Sequence, residues 1–300
     1  MDSDAIVIGH FGLDIEVVLA DGERRRIRAR SSSEPLVVGD RVKLSERGVE
    51  LQPRETVLAR RDARDRTRAI AANLDVLGVT LAAQPPVPRG YVERMVVAAR
   101  SAEIEPFLVV NKCDLQESRA LSEQLGARFA ASAGRVPVFE VSALTGVGLD
   151  GIRSHLSGVR GAFVGTSGVG KSSLLNALVP GLDLEVGEIN RFTRLGRHVT
   201  TRSSLHSLPG GGELIDTPGF RDFVPVDLSP AELASYFPGF EAALEKGCRF
   251  RDCRHREEPA CGVLESVEEG EVEPADHATY LEVLADLERV EAREARGARS

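Results

Sequence analysis

The stretch GTSGVGKSSL, residues 165–174, decides the fold of this chain. It fits the pattern G-x-x-x-x-G-K-[ST] and lies between a short apolar strand, GAFVG, and a helical segment, KSSLLNALV, as a phosphate-binding loop requires. Its glycines let backbone N–H groups wrap a phosphate, and the helix N-terminus adds a favourable dipole. The alternative is a glycine-rich structural turn. The predicted phosphate-binding residues are Gly165, Thr166, Ser167, Gly168, Val169, Gly170, Lys171, Ser172 and Ser173.

Two side chains of this loop have predicted chemical roles. Lys171 would reach the β- and γ-phosphates of a nucleoside triphosphate, and Ser172 would ligate Mg²⁺. Only four of the 38 basic residues are lysines, and two of them, Lys112 and Lys171, fall inside candidate nucleotide motifs. A chain that otherwise uses arginine keeps a lysine where a compact ammonium group is needed. We therefore assign Lys171 to catalysis as well as to binding.

A second motif, VVNKCDLQ at residues 109–116, indicates that the base is guanine. Asp114 can accept hydrogen bonds from guanine N1–H and the 2-amino group, a pair of donors that adenine does not offer. Asn111 would hold the loop, and Lys112 would lay its stem over the ring. A later strand ends at VSAL, residues 141–144, whose backbone would donate to guanine O6. An isolated NKxD is more often a turn, but the neighbouring motifs favour GTP as substrate and GDP as product. The predicted base-binding residues are Asn111, Lys112, Asp114, Ser142 and Ala143.

The stretch LIDTPGF, residues 214–220, supplies the pattern D-x-x-G. Asp216 would meet Mg²⁺ through water, and the N–H of Gly219 would sense the γ-phosphate. Between this stretch and the phosphate loop lies a polar segment that suits a mobile switch. It offers Thr200 or Thr201 to Mg²⁺, and we prefer Thr200.

The position that directly follows D-x-x-G is Phe220, where many GTPases carry a glutamine that orients water. An apolar side chain cannot polarise water, so another group must act or intrinsic hydrolysis is slow. His198, in the predicted switch, is the nearest candidate; the alternative is a solvent-exposed loop histidine. The predicted catalytic residues are His198, Thr200 and Lys171.

Four metal ligands lie within fourteen residues, in the spacing C-x4-C-x-H-x5-C. Three thiolates and one imidazole satisfy a closed tetrahedral Zn²⁺ site, and no secretory signal favours disulfides instead. We predict one structural zinc ion, which leaves Cys113 as an unpaired thiol in the base-binding loop. The predicted zinc ligands are Cys248, Cys253, His255 and Cys261.

The hydrophobic pattern divides the chain into three domains. Residues 1–68 contain short strands separated by turn signals and predict an OB-type β-barrel, with a nonfunctional all-β cap as the alternative. Residues 69–228 alternate strands and helices, which is typical of an α/β doubly wound sheet with its ligands beyond the carboxyl ends of the strands. Residues 229–300 are predicted to be a zinc-binding domain with a C-terminal helix, in which a first helix begins with Ser229 as its cap.

The distribution of charge leaves room for a nucleic-acid partner. The formal net charge is −8, but residues 262–300 hold eleven acids and four arginines and so account for −7 of it. Arginine clusters lie at residues 24–26 and 249–256, so a polyanion partner is allowed. The longest apolar runs are too short to cross a bilayer, and we expect a cytoplasmic protein without a membrane partner.

Taken together, these motifs resemble the bacterial ribosome small-subunit-dependent GTPases of family A. The resemblance extends over almost the whole chain and includes VVGDRV (37–42), AANLD (71–75), GRHVTT (196–201), DTPGF (216–220) and the zinc spacing. It implies a circularly permuted P-loop GTPase domain, flanked by the barrel and the zinc-binding domain. It also implies binding to the 30S ribosomal subunit and its 16S rRNA late in assembly, with GTP hydrolysis that the subunit stimulates. The family's proposed catalytic histidine falls on His198.

One departure from the family pattern and two rival functions remain. The family often has three threonines after the histidine, whereas this chain has VTT. A metal-delivery GTPase whose Cys/His cluster hands on its metal is the first rival, and an RNA-binding module whose P-loop fold is only a scaffold is the second. We predict a monomer.

Overall fold

The computed structural model describes residues 3–11, 14–28, 34–46, 48–61, 67–130, 135–184, 203–216 and 228–297. Within these ranges the chain forms thirteen strands and eight helices. No helix in the described ranges is long and apolar enough to span a membrane.

Five N-terminal strands surround a small apolar core of their own. β2 alternates buried and half-buried residues, as expected for a strand with one face toward a core. The strands pair in the order β3-β2-β1-β4-β5, all antiparallel. Their core contains Val7, Ile15, Val17 and Val42. The strands are β1 (Ser3–Phe11), β2 (Asp14–Leu19), β3 (Arg24–Arg28), β4 (Arg41–Ser45) and β5 (Gly48–Leu51).

A separate antiparallel hairpin connects this region to the rest of the chain. It consists of β6 (Val57–Arg61) and β7 (Thr67–Ala72). β7 includes residue 68, after which the sequence pattern placed the boundary between the first two domains.

A parallel sheet forms the central part of the molecule. β8 is buried at every residue, as its continuous apolar sequence predicts. The order β10-β9-β8-β11-β13 is parallel throughout, and β12 adds antiparallel to β13. The elements are β8 (Val76–Leu81), α1 (Tyr91–Ser101), β9 (Glu105–Val110), α2 (Gln116–Ala130), β10 (Val138–Glu140), α3 (Leu149–His155), β11 (Arg160–Val164), α4 (Lys171–Leu178), β12 (Ser204–Ser207) and β13 (Glu213–Asp216).

β12 joins the two sheets into one. It pairs with β13 on one side and with β1 on the other, where Ser204 lies opposite Gly9. The N-terminal strands are therefore hydrogen-bonded directly to the parallel sheet.

Four helices form the C-terminal part. They are α5 (Leu233–Tyr236), α6 (Glu241–Glu245), α7 (Gly262–Glu268) and α8 (Pro274–Gly297). Tyr280, Leu284 and Leu287 of α8 are buried, which confirms the apolar stripe in its sequence. The predicted first helix begins at Leu233 instead of directly after Ser229. Ser229 and the Glu232 carboxylate bond to each other and close a turn before the helix.

Candidate nucleotide and metal sites

The phosphate loop lies between β11 and α4, at the carboxyl edge of the parallel strands. Gly168 and Gly170 have φ values of +86° and +92°, a backbone region that glycine adopts without steric cost. Lys171 folds back into the loop, and its Nζ donates to the carbonyls of Gly165 at 2.5 Å and Thr166 at 3.3 Å. The loop thus surrounds an ammonium group at the place where phosphates were predicted.

Close neighbouring atoms explain why two positions of the phosphate-loop motif must be glycine. A Cβ on Gly165 would lie 2.5 Å from the carbonyl oxygen of Thr80, and one on Gly170 would lie 2.4 Å from Nδ2 of Asn111. Both distances are well inside van der Waals contact. The second contact shows that the phosphate loop and the NKCD loop meet. Asn111 also contacts Val169, which lies 58 positions farther along the chain.

Asn111 connects three loops through its side-chain amide. Only 2% of its surface is exposed. Its Nδ2 donates to the carbonyl of Val169 at 3.0 Å, and its Oδ1 accepts from the backbone N–H of Ala143 at 3.0 Å. Because a buried amide that loses a partner is costly, this residue fixes the relative positions of the phosphate loop, the NKCD loop and the VSAL loop.

The other two NKCD residues are also held in place. Lys112 has a φ of +64°, and its Nζ donates to the carbonyls of Gln84 and Gly168, both at 2.7 Å. The hydroxyl of Ser142 donates to a carboxylate oxygen of Asp114 at 2.6 Å. The Ser142 side chain therefore orients the carboxylate that was predicted to read guanine.

A cavity of about 210 Å³ lies where these loops converge. It contains side chains from both base-binding motifs and backbone from the phosphate loop, and Asp114 is exposed to it. One lining residue, Leu144, was not among those predicted from the sequence. The cavity is lined by Asn111, Lys112, Asp114, Ala143, Leu144, Gly170 and Ser173.

Asp216 ends β13, the parallel neighbour of β11, so it lies at the same edge as the phosphate loop. Burial raises the pKa of its carboxyl group, and the nearby Lys171 ammonium partly offsets that rise. The remaining predicted residues of this region lie outside the described residues. They are His198, Thr200, Thr201, Gly219 and Phe220.

The four predicted zinc ligands come together in the C-terminal part. Their ligand atoms all lie within 4.8 Å of one another. Nδ1 of His255 lies 3.2 Å from Sγ of Cys261 and 3.6 Å from Sγ of Cys248. His255 has a φ of +55°, in the left-handed backbone region that few non-glycine residues adopt. Three sulfurs and one imidazole nitrogen in such a cluster fit a tetrahedral zinc ion.

The surrounding groups hold this cluster in shape. Burial raises the pKa of the Cys253 thiol to about 12 and lowers the pKa of the His255 imidazole. The carboxylate of Glu258 accepts from the backbone N–H groups of Arg254 at 2.8 Å and Arg256 at 2.7 Å. Burial alone would raise the pKa of Glu258, but hydrogen bonds from these two N–H groups and from those of Glu257 and Glu258 itself outweigh burial and lower the pKa to about 2.

The sequence motifs VVGDRV and AANLD contribute to a joint between the N-terminal strands and the central sheet. Asn73 donates from Nδ2 to the carbonyl of Gly39 at 2.9 Å, and Arg160 donates to the same carbonyl at 3.1 Å. Arg160 also forms an ion pair with Glu213 at 2.7 Å. The sequence alone assigned no structural role to either motif, because nothing local in them indicates which distant residues they contact.

Comparisons with known proteins agree with this geometry. The family model described as RsgA GTPase matches residues 51–224. A protein of Pseudomonas aeruginosa named small ribosomal subunit biogenesis GTPase RsgA is 39% identical over 288 residues, which cover 94% of this chain and 84% of that protein. The protein of the same name from Azotobacter vinelandii is 39% identical over 298 residues, covering 95% and 86%.

Two solved structures have a similar fold. The crystal structure of YjeQ from Thermotoga maritima has a TM-score of 0.75 and 29% identity, and covers 96% of this chain and 99% of that chain. The crystal structure of YloQ, described as a circularly permuted GTPase, has a TM-score of 0.72 and 24% identity, with 96% of each chain covered. The predicted fold class is therefore confirmed.

Proposed function

This chain belongs to the RsgA GTPase family, and we propose that it binds the small ribosomal subunit late in its assembly and controls its own release by hydrolysing GTP. It is a GTP-hydrolysing enzyme of ribosome biogenesis, as its relatives' names indicate. The resemblance predicted from the sequence is confirmed, and the metal-delivery alternative is not favoured. The observation that carries the proposal is the bridge made by Asn111, which draws the phosphate loop and both base-binding loops around one cavity.

The guanine base occupies this cavity in our proposal. Asp114 accepts from guanine N1–H and the 2-amino group, while Ser142 holds its carboxylate. The backbone N–H groups of Ser142 and Ala143, which the sequence assigned to O6, donate instead to the carbonyl of Val147 at 2.9 Å and to Oδ1 of Asn111 at 3.0 Å. Lys112 covers the ring with its stem, since its Nζ is already fixed by two carbonyls.

The phosphates lie in the loop of residues 165–173. Lys171 leaves its present carbonyl partners and reaches the β- and γ-phosphates, while Gly219 senses the γ-phosphate. Ser172 and Thr200 would hold Mg²⁺, and Asp216 would meet it through water. When bound, the ion would supply positive charge that offsets the charge developing on the phosphate oxygens. His198 is our candidate for positioning the attacking water.

Two exposed basic surfaces support contact with 16S rRNA. The first is β3, where Arg24, Arg25 and Arg26 are all exposed. The second is the turn between Cys248 and Cys253, where the Arg249 guanidinium lies 5.5 Å from the exposed ring of Phe250. Arginine binds phosphate, and an exposed aromatic ring can stack on an unpaired base.

One structural zinc ion completes the C-terminal domain in this proposal. A closed set of three thiols and one imidazole leaves no coordination position for a substrate. Zinc binding then becomes part of the folding energy of residues 229–300, and this domain loses its helical packing when the ion is removed.

The zinc content of the protein tests this assignment directly. The full chain should contain about one equivalent of zinc, and Co²⁺ in its place should give the visible absorption of a tetrahedral thiolate site. Cys253→Ser should lose the metal and lower the melting temperature, whereas Cys113→Ser should retain it. Retention of a full equivalent of zinc by the Cys253 variant would contradict the assignment.

The protein works as a monomer in the cytoplasm. Its domains are residues 1–68, 69–228 and 229–300. Both basic surfaces then contact a single subunit, and no partner copy is needed to complete the nucleotide site.

The function is tested by steady-state GTP hydrolysis with and without purified 30S, 50S and 70S particles at a stated salt concentration. We expect slow turnover alone and stimulation by 30S subunits. Lys171→Ala serves as the inactive control. Co-sedimentation should show stronger 30S binding with a nonhydrolysable GTP analogue than with GDP. Normal intrinsic turnover that 30S subunits do not stimulate would refute the proposal.

A further inference from the structure

Cys248 and Cys261 lie opposite each other in an isolated antiparallel β-bridge. The residue after Cys248 donates its N–H to the carbonyl of the residue before Cys261, and the residue after Cys261 donates to the carbonyl of the residue before Cys248, both at 2.9 Å. Hydrogen bonds that flank a pair in this way mark the closer type of antiparallel pair, in which the Cα atoms are about 4.5 Å apart. A disulfide accepts Cα separations of about 4.4–6.8 Å. The backbone at this bridge is therefore already suited to a disulfide.

The sulfur atoms of this pair also lie close together. Sγ of Cys248 is 3.9 Å from Sγ of Cys261, and both residues carry free thiols. Cys253 belongs to the same cluster, whose ligand atoms all lie within 4.8 Å of one another, but it is not part of the bridge. Its N–H donates to the carbonyl of Phe250, within the turn. Within residues 228–297, only Cys248 and Cys261 are thus held against each other by the backbone as well as by a side-chain contact.

We propose that Cys248 and Cys261 form a site of reversible oxidation, at which a peroxide converts the two thiols into a disulfide. The disulfide replaces, as a cross-link, the zinc ion of the site proposed above, on which this inference rests. Cys248 is half-buried and Cys261 is 3% exposed, so the oxidant reaches Cys248 first. Cys253 is also half-buried, and the β-bridge decides which two sulfurs combine. Cys113, 1% exposed in the NKCD loop, stays reduced.

The reaction balances with one molecule of hydrogen peroxide. The sulfur of Cys248 attacks one peroxide oxygen, the O–O bond breaks, and the departing hydroxide takes the thiol proton and leaves as water. The sulfur of Cys261 then attacks the resulting sulfenic acid, which forms the S–S bond, breaks the S–O bond and releases a second water. The two sulfurs together lose two electrons, and the peroxide gains them. A small dithiol reverses the change by disulfide exchange.

The disulfide and the metal ion hold different parts of the C-terminal domain. Cys248 follows α6 and Cys261 directly precedes α7, so a bond between them keeps these two helices together, as the metal does. A disulfide sulfur is no longer a thiolate ligand, however, and Cys253 and His255 alone cannot complete a tetrahedral zinc site. Oxidation therefore releases the metal without releasing the helices.

Trypsin separates the three cysteines, because arginines lie between them. In the experiment, the full chain is treated with hydrogen peroxide, the remaining thiols are blocked with N-ethylmaleimide, and the tryptic peptides are identified by mass spectrometry without reduction. We expect peptide 247–249 linked to peptide 257–289, with a mass lower by two hydrogen atoms than the sum of the two. Cys253 should carry the blocking group in peptide 252–254. About one equivalent of zinc should be released, as measured with 4-(2-pyridylazo)resorcinol.

Two variants form a matched pair, because each removes one zinc ligand. Cys253→Ser should still form the disulfide after peroxide treatment, whereas Cys248→Ser should lose it. A second measurement compares the melting of two metal-free samples of the unsubstituted chain by circular dichroism. The sample that contains the disulfide should unfold at a higher temperature than the sample kept in dithiothreitol, since a cross-link restricts the unfolded chain.

The peptides of the unsubstituted chain decide the outcome even if a variant does not fold. A main linkage that includes peptide 252–254 would refute the proposal, as would sulfinic acid without any linkage or equal melting temperatures of the two metal-free samples. If the purified chain holds no zinc but peptides 247–249 and 257–289 are linked, the zinc assignment fails and the disulfide pair stands. If zinc is present and peroxide neither releases it nor links these peptides, the zinc assignment stands and the oxidation site is wrong.

Discussion

At the residue scale, the side-chain amide of Asn111 holds the loops of the candidate site together. Asn111 uses both ends of its side chain, with Nδ2 on the carbonyl of Val169 and Oδ1 on the N–H of Ala143. The approach is so close that Gly170 can carry no side chain beside it. A glycine that the motif requires for wrapping a phosphate is thus also required for the close approach of the NKCD loop.

We predict that Gly170→Ala disrupts the site and that Gly146→Ala does not. Both residues have positive φ, +92° and +84°, so each variant bears the backbone cost of about 1–2 kcal/mol. Only at Gly170 would the new Cβ meet another group, 2.4 Å from Asn111 Nδ2, while Gly146 has open space. GDP affinity of Gly170→Ala should fall more than tenfold, as measured by fluorescence titration. Equal affinities for the two variants would contradict the bridge.

At the element scale, the residues directly before β4 join the N-terminal strands to the central sheet. Gly39 lies against β7, and its carbonyl accepts from Asn73 and Arg160. Nearby, the buried carboxylate of Asp40 forms an ion pair with Arg54 at 2.7 Å. Polar groups that are satisfied only by partners from another element fix how the elements meet.

The joint predicts a large difference between two glycine variants. Gly39 and Gly22 have similar φ values of +94° and +85°. A Cβ on Gly39 would lie 2.1 Å from the carbonyl oxygen of Ala72, whereas one on Gly22 would meet nothing within 4 Å. Gly39→Ala should lower the free energy of unfolding by more than about 3 kcal/mol, against about 1 kcal/mol for Gly22→Ala. Urea denaturation followed by circular dichroism measures both, and similar midpoints would argue against the joint.

At the scale of the whole molecule, the structure gives a role to part of the acidic C-terminal segment. Three of its acids pair with arginines elsewhere: Asp276 with Arg128, Asp286 with Arg94 and Glu288 with Arg256. Val97 of α1 packs in the same apolar core as Phe237, Phe240 and Tyr280. The acidic helix α8 is therefore attached to the central domain by charge and by apolar packing.

We predict that Arg128 contributes most among these ion pairs. It bridges Asp276 and the nearly buried Glu93, at 2.5 Å from the latter, so Arg128→Gln leaves two acids without their cation. The loss should be about 3 kcal/mol. Arg94→Gln removes a pair whose side chains are 30% and 36% exposed and should cost less than about 1 kcal/mol. Thermal unfolding of both variants provides the comparison, and an Arg94 variant as unstable as the Arg128 variant would contradict the ranking.

Much of the site could be predicted from the sequence because each motif encodes a local property. Glycines at positions 168 and 170 permit a positive φ, and four Cys/His side chains within fourteen residues can reach one metal ion. The continuous apolar sequence of β8 similarly indicated a buried parallel strand. These features depend on neighbours within a few residues, so they remain visible before the chain is folded.

The tertiary structure alone decided which distant groups meet. The bridge from Asn111 to Val169, the joint from Arg160 to Gly39 and the pair of Arg128 with Asp276 span 58, 121 and 148 residues. The position of Leu144 in the lining of the cavity is of the same kind. Such contacts depend on how whole elements pack, and no local spacing encodes them. The sequence by itself determined the chemistry of the loops, and packing determined that they meet around one cavity.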